Sequence, residues 1–442
     1  MAAPDSTIKP GEAAAGASVP PLARLKAILG GSAGNLVEWY DWFAYSSFTL
    51  YFAKHFFPKG DDTAQLMQAA AVFAVGFGAR PVGAWLMGLY ADRAGRRTAL
   101  TTAVAMMCLG SFAIAILPDY QAIGVLAPAG LLAARLVQGL SLGGEYGASA
   151  TYMSEMAGRA RRGFWSSFQF VTLIMGQLLA LAVLIVLQHV LPKADLEAWG
   201  WRIPFAIGGV LAIVVFWIRM GLEESASFTA AKAAGAERAR TMMLFLHHPR
   251  ETAIIFGLTA AGSLAFYAYT TYMQKFLVNT AGFSKDAATA ISAASLVVYM
   301  VVLPAFGWLS DKVGRRRMLA LSFGTGAIVT FPVMSALARA GSPGEALLLA
   351  TLLVLTLCGY SAVSAVVKAE LFPAHVRALG VALPYATANA VFGGTAEYVA
   401  LGLKKAGHAN GFYIYVAVMM ALAFLIAIRL RDTNRESRIL ED

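Results

Sequence analysis

Gly88-Leu-Tyr-Ala-Asp92-Arg-Ala-Gly95-Arg96-Arg97 and Gly307-Trp-Leu-Ser-Asp311-Lys-Val-Gly314-Arg315-Arg316 are two copies of one pattern, G-x3-D-[RK]-x-G-R-R, set 219 residues apart. Each sits between two apolar blocks long enough to cross ~30 Å of hydrocarbon at ~1.5 Å rise per residue. A weaker echo puts Glu155 before Arg162-Gly163, and Glu370 before Arg377 and Gly380. The chain therefore reads as two halves of like orientation. The loop has a physical logic. Its glycines allow a tight turn and close helix approach. Its Asp can sit at a helix end or pair with a neighbouring charge. Its arginines are expected to stay in the cytosol. Gly88, Asp92, Gly95 and Arg96, with Gly307, Asp311, Gly314 and Arg315, are thus candidates for a conformational gate.

Working outward, the composition agrees. Of 442 residues, 58% are hydrophobic and only 14% charged, with a mean hydropathy of +0.63; soluble domains carry about 25% charged residues. Apolar blocks recur near 28–53, 67–91, 98–117, 122–156, 164–190 and 203–221, then near 251–278, 287–309, 317–338, 345–368, 378–403 and 410–429. This predicts an all-α integral membrane protein of twelve helices in two six-helix halves, 28–221 and 251–430. The tails 1–27 and 431–442 and the polar linker 222–250 complete it. The fourth, fifth, seventh and eleventh blocks are long, and are expected to run past the membrane or bend. Strand-like alternation is not seen. Residues 1–22 lack an apolar core and read as a tail rather than a signal peptide.

The net charge of +10 is distributed unevenly. Of 35 Lys and Arg, 23 fall in one set of loops, with the tails and linker, and 8 in the other, leaving Arg80, Arg135, Lys275 and Lys368 inside spans. The positive-inside rule puts both termini in the cytoplasm. Orientation and contact with anionic membrane lipid account for the basic charge, so no nucleic acid is expected. Cys108 and Cys358 lie in separate spans and support neither a disulfide framework nor a metal site. Nucleotide loops, metal-ligand sets and nucleophile motifs are not found. The expectation is a carrier, not an enzyme, acting as a monomer and without a cofactor.

Charges at bilayer depth cost at least ~2.5–3.5 kcal/mol and need a partner, a wet cavity or a function. In the first block Asn35, Glu38, Asp41 and Tyr45 form one polar stripe at helical spacing. Two carboxylates one turn apart repel when both are ionised, so one of Glu38 and Asp41 is a candidate proton carrier. Arg80, 12 residues before Asp92, lies ~18 Å along a helix from the loop, near mid-membrane. Its planar fork suits a carboxylate, and Pro81 can bend the helix toward a cavity. A permanent salt bridge to Glu38, Asp41 or Glu145 is the alternative. Glu145, between Gly143-Gly144 and Gly147, reads equally as a proton carrier or as an arginine's structural partner. Lys275, beside Tyr272, is a second-half candidate for substrate, or a lysine that snorkels to the interface; Lys368 is expected to snorkel. Tyr45 and Tyr272 carry hydroxyls suited to carboxylate or keto oxygens. Glu397, after Gly393-Gly394, could join a gate. Lys54 and His55 end the first span, where they can attract anions.

The repeated loop resembles the signature of the major facilitator superfamily, and Arg135-Leu-Val-Gln138-Gly139 matches its R-x-x-Q-G motif. Gly34-Asn35-Leu36-Val37-Glu38-Trp39-Tyr40-Asp41, Arg80-Pro81-Val82-Gly83, Gly143-Gly144-Glu145-Tyr146-Gly147 and Trp199-Gly200-Trp201-Arg202-Ile203-Pro204-Phe205 resemble the metabolite:proton symporters. Ser149–Glu155, Thr270–Lys275, Lys368–Pro373 and Gly393–Ala400 resemble those members that carry α-ketoglutarate. The likeness covers roughly 28–430. It implies proton-coupled uptake of a small organic anion, a dicarboxylate, across a bacterial inner membrane by alternating access. It also implies that Arg135 takes part in proton coupling and that Arg202 has a functional role; from the residues alone Arg202 is as well read as an interfacial anchor beside Trp199 and Trp201. Relatives carry citrate, shikimate or osmolytes, and an anion exchanger is a further alternative.

Overall fold

The computed structural model describes residues 21–94, 96–142, 159–220, 247–433 and 437, without the side chains of 21–34, 88–89, 91–97, 100, 142, 159, 218–220 and 374–375. Among the described residues twelve helical spans follow one another. The first half holds α1 (Pro21–Phe56), α2 (Asp62–Ala94), α3 (Arg96–Ile116), α4 (Leu126–Leu142), α5 (Arg162–Val190) and α6 (Ile203–Met220). The second holds α7a (Pro249–Phe266) and α7b (Met273–Asn279), α8 (Lys285–Val313), α9 (Arg315–Leu337), α10 (Pro343–Glu370), α11a (Ala374–Ala388) and α11b (Ala396–Lys405), and α12 (Ala409–Arg429). Eight stretches are long and apolar enough to cross a membrane, and two shorter apolar helices, Thr101–Ile116 and Leu126–Ser141, accompany them. The first helix starts at Pro21, ahead of the expected 28, and the far part of the fourth block lies outside the described residues.

Two of the long blocks bend, and the reason is local. In α7 and α11 the helix widens into single π turns, Tyr267–Thr271 and Asn389–Gly393, at matching places in the two spans. One extra residue in such a turn re-aims the side chains around it. Pro81, Pro304, Pro332 and Pro384 sit inside helices, as membrane helices tolerate when neighbours re-satisfy the freed carbonyls. Ser284 and Ser342 cap α8 and α10 by accepting from Ala287 N and Glu345 N, which satisfies amides that the helix itself leaves open.

Packing sets an inside and an outside. α3 pairs with α6, and α9 with α12. These flanks expose large apolar side chains such as Ile116, Ile328 and Trp217, a surface suited to lipid rather than water. The halves meet where α5 runs along α8 and α10, and where α2 meets α11. At the basic end α5 and α8 touch backbone to backbone: a Cβ on Gly307 would lie 2.5 Å from the Gly163 carbonyl oxygen, and one on Gly163 2.3 Å from Ser310 Oγ.

That approach is the tightest geometric demand of the interface. Gly307→Val should force the two helices apart and lower the melting temperature of the detergent-solubilised protein by several degrees. Thermal unfolding of the purified variant checks this, and an unchanged midpoint would contradict the close contact.

Candidate functional site

The polar stripe of α1 does not act as a unit. Asn35 turns toward α5, donating to Thr172 Oγ1 at 3.2 Å and accepting from Trp39 Nε1 at 2.9 Å. Asp41 turns into the first half. It accepts from Gln138 Nε2 at 2.6 Å and from the Ser111 hydroxyl, and lies 3.5 Å from Arg135 Nη1. Arg135 donates to Gln138 Oε1 at 2.7 Å and is clasped between the rings of Trp42 and Tyr45, 4.1 and 4.2 Å from their centroids. Asp41, Arg135, Gln138 and Ser111 have essentially no exposed surface. Such a network holds a carboxylate and a guanidinium together only while both stay charged. A proton on Asp41 would loosen its hold on Arg135, and that is the chemistry the cluster offers.

Arg80 occupies the boundary between the halves. It is buried in mid-α2, with its guanidinium 4.8 Å from the Trp39 ring centroid and 4.7 Å from that of Phe77. Its Nη1 has no hydrogen-bond partner among the described residues. Phe77 stacks edge-on against Tyr267 of the first π turn, whose hydroxyl lies beside Arg80 and Asn389. Tyr267 and Asn389, one from each π turn, line a small cavity with Phe170, Phe266, Tyr360 and Tyr385. Arg80, beside Tyr267 at the edge of this aromatic cluster, offers a planar fork of the kind that suits a carboxylate by charge and paired hydrogen bonds. Glu38, the sequence neighbour of Trp39, is buried as well. Glu145 lies outside the described residues.

Lys275 does not snorkel. It is buried, pairs with Glu397 Oε2 at 2.6 Å and donates to Ser46 Oγ at 2.7 Å, so it ties α7b to α11b and to α1 of the other half. Lys368 does not snorkel either: it is 2% exposed and lies over the Tyr385 ring. Three expected ligands are placed elsewhere. Tyr272 packs its ring against Phe276 and Phe412 inside the second half. Tyr45 gives its hydroxyl to the Ala69 carbonyl at 2.9 Å and its face to Arg135. Arg202 donates to the carbonyls of Ala115 and Leu117, at 3.0 and 2.7 Å, and stacks on Trp201. It therefore satisfies open carbonyls at the end of α3, as an anchoring residue does.

Both ends of the interface carry ionic contacts. At the basic end Asp311 accepts from the amides of Gly163 and Phe164 at 2.8 and 3.0 Å, so it caps the first turn of α5 in the other half, and also pairs with Arg315 at 2.8 Å. The dipole of α5 adds to that attraction. Gly314, at φ +95°, makes the turn that only glycine adopts easily. Arg315, expected in the cytosol, is buried and reaches Glu370 as well, at 3.9 Å; Arg316 and Arg317 are the exposed ones. Gly95 of the first copy lies outside the described residues, as do the side chains of Gly88, Asp92 and Arg96. At the opposite end Glu197 bridges Lys54, at 2.8 Å, and Lys285 of the second half, at 3.0 Å. Lys54 is thus engaged rather than free for anions. Sequence reasoning missed Ser111, Ser46, Asn389 and Glu197. Glycine spacing flagged the Asn389 region, but nothing in the sequence marks a lone serine as a carboxylate's partner.

Comparison with known proteins follows from this geometry. The family profile described as "Sugar (and other) transporter" matches residues 27–252 and 234–437. The α-ketoglutarate permease of Escherichia coli (strain K12) is 52% identical over 94% of this chain and 96% of its own. A citrate-proton symporter of Klebsiella pneumoniae is 34% identical over 86% of each chain. The shikimate transporter of Escherichia coli is 30% identical over 93% and 95%. In fold, the chain is similar to the xylose transporter of Escherichia coli in a partially occluded inward-open conformation, with a TM-score of 0.72 at 20% identity, covering 91% of this chain and 96% of that one.

The Glu197 cluster yields a pH prediction. Burial pushes this carboxyl up, but the hydrogen bonds and charges of Lys54 and Lys285 outweigh it and hold the group down at about 2. A lowered folded-state pKa means the stabilisation is complete above the ordinary range near ~4.3 and is lost only as pH falls through the lowered value. Glu197→Gln should therefore lower the melting temperature equally at pH 8 and pH 5, by the small amount of a half-exposed pair, ~0–1 kcal/mol per bridge. A penalty present at pH 8 and gone at pH 5 would contradict it.

Proposed function

The chain belongs to the Sugar (and other) transporter family of the major facilitator superfamily, and we propose that it imports α-ketoglutarate together with protons by alternating access. Arg80 carries this reading: a mid-span guanidinium held by ring faces, with Nη1 unpartnered among the described residues, at a chamber between the halves. The likeness to the α-ketoglutarate permease supports the choice of dicarboxylate. In the proposed orientation the basic end and both termini face the cytoplasm of a bacterial inner membrane.

The mechanism follows from electrostatics. A dianion entering against an inside-negative potential faces ~2.3 kcal/mol per charge per 100 mV. Protons travelling with it offset that barrier. Asp41 is the proposed carrier, with Glu38 and Glu145 as alternatives. While ionised it holds Arg135; once protonated it releases part of that hold, and the first half can repack. Substrate on Arg80 draws the second half toward it through Tyr267 and Asn389. Asp311 on the α5 terminus and Glu197 between its lysines are proposed to make and break as each end opens. Lys275 acts in this scheme as Glu397's partner across the interface, and not as a free clamp.

Uptake of labelled α-ketoglutarate into proteoliposomes with an imposed inward proton gradient tests the reading. The native protein should accumulate it. Arg80→Ala should lose on the order of a hundredfold or more in uptake efficiency, since two charge-assisted hydrogen bonds vanish. Accumulation of citrate or shikimate in its place would replace the substrate and keep the mechanism. For the coupling role, Asp41→Asn should abolish gradient-driven accumulation while substrate counterflow persists. Native uptake indifferent to the gradient would indicate an exchanger.

A further inference from the structure

We infer that Glu397 is a second proton-binding site, held by Lys275 beyond the two π turns, so that each half of the protein loads one proton for every dicarboxylate carried. This rests on the proton-coupled reading above, which places the first proton on Asp41. Lys275 lies four residues past the π turn Tyr267–Thr271, and Glu397 four past Asn389–Gly393. Each is thus about one helical turn beyond the widened turn of its own span. Their side chains meet at 2.6 Å, and Ser46 of α1 accepts from the same ammonium at 2.7 Å. Beyond them Lys404, near the end of α11b, donates to the Asn279 carbonyl at the end of α7b. The two spans are therefore joined on the side away from the basic end.

The carboxyl is placed to take a proton. Lys275 occupies Glu397 Oε2, whereas Oε1 is buried with no hydrogen-bond partner among the described residues. Of the two side chains Glu397 keeps the larger exposed share, 8% against 1%. A buried ionised oxygen left without a donor is costly, and a proton at Oε1 removes that cost. Among the described residues, the titratable groups that face it are Lys275 and Tyr272 from α7, Tyr45 from α1 and, behind Tyr272, Tyr413 of α12. From α2 the contacts with this stretch are Phe77 and Met67. Phenols ordinarily titrate near ~10, so near neutral pH the proton competes with Lys275 alone. The step is a transfer from hydronium to Oε1: one O–H bond forms there, one breaks on the donor, and Lys275 stays protonated. The pair goes from net zero to +1, a charge that an anion in the same low-dielectric interior stabilises. Loading of the proton is thereby tied to loading of the substrate. Motion enters through the winding of α7 and α11, since a change in either π turn re-aims Lys275 or Glu397. With Glu397 neutral, separating the two leaves no unpaired anion behind.

The test is the charge moved with each α-ketoglutarate, read in proteoliposomes as the membrane potential that cancels net uptake at fixed substrate and proton gradients. Native protein is compared with Glu397→Gln, Glu397→Asp and the double variant Lys275→Met/Glu397→Gln. The native protein should move one proton more per substrate than Glu397→Gln and the double variant, and Glu397→Asp should match the native protein. With two protons the dianion crosses without net charge, and an inside-negative potential leaves accumulation unchanged. With one proton, 100 mV lowers accumulation roughly 50-fold. Equal proton numbers in native protein and uncharged variants would make the pair a structural brace and overturn the inference. Where an uncharged variant shows no net uptake, substrate counterflow decides. Counterflow retained means that alternation survives and the proton step is lost, as expected here; counterflow lost in both uncharged variants overturns the assignment. Native uptake of α-ketoglutarate that ignores the proton gradient would overturn the symport reading itself, whereas gradient-driven native uptake with an unchanged proton number in the variants overturns only the role of Glu397.

Discussion

A charge buried in hydrocarbon needs a partner, and in this protein the partner is nearly always on another helix. Asp41 on α1 meets Arg135 on α4; Lys275 on α7b meets Glu397 on α11b; Asp311 on α8 meets the first amides of α5. The penalty for separating such pairs without replacement is several kcal/mol per ion. They are therefore discrete links, made or broken, rather than elastic ones. Two of the three also touch the other half, because Lys275 donates to Ser46 of α1 and Asp311 caps α5. Motion of one half against the other has to go through these links, whatever drives it.

The rest of the interface is built to let such links change at low cost. Its long contacts are small-residue and aromatic ones, with α5 against α8 at Gly163 and Gly307, and Phe77 against Tyr267. Dispersion contacts of this kind are many and weak. The ionic contacts sit at the two ends and at the centre. An interface with ionic contacts at its ends and an aromatic cluster between them is suited to alternating access.

Much of this was legible in the sequence because membrane crossing is a demand on long runs of residues. Span count, the two halves and the paired loops follow from apolar length and from a pattern that occurs twice. Arg80 stood out for the same reason: a guanidinium at mid-span needs a partner, a wet cavity or a function. Where these side chains lie has a common physical source. Tyr272 and Tyr45 were read as ligands from side-chain chemistry, yet which way a helical side chain faces depends on the local winding, and Tyr272 follows a π turn that shifts its register. Arg202 was placed by motif, but the open carbonyls of α3 that it satisfies belong to a distant helix end. Arg315 and Lys368 lie where snorkelling is the usual solution; only the fold brings Glu370 to the one and Tyr385 to the other.

The two π turns tie these points together. Twelve straight helices could satisfy their backbones without them, and a widened turn has poorer hydrogen bonding, so it persists only where the surroundings favour it. Here both occur in the second half, in its first and fifth spans, and each contributes a residue to the same cavity, Tyr267 and Asn389. The first half presents Arg80 from a helix with no such turn, kinked at most by Pro81. The halves are therefore alike in topology but unlike in mechanics: one offers a fixed cation on a regular helix, and the other surrounds it with side chains aimed by local unwinding. If either turn relaxes to regular α-helix, the residues beyond it rotate by roughly the ~100° that one residue represents, relative to Tyr267 or Asn389, which open the turns. The asymmetry puts the adjustable wall of the site in the second half, where a change of winding in α7 or α11 can alter the chamber while Arg80 stays still.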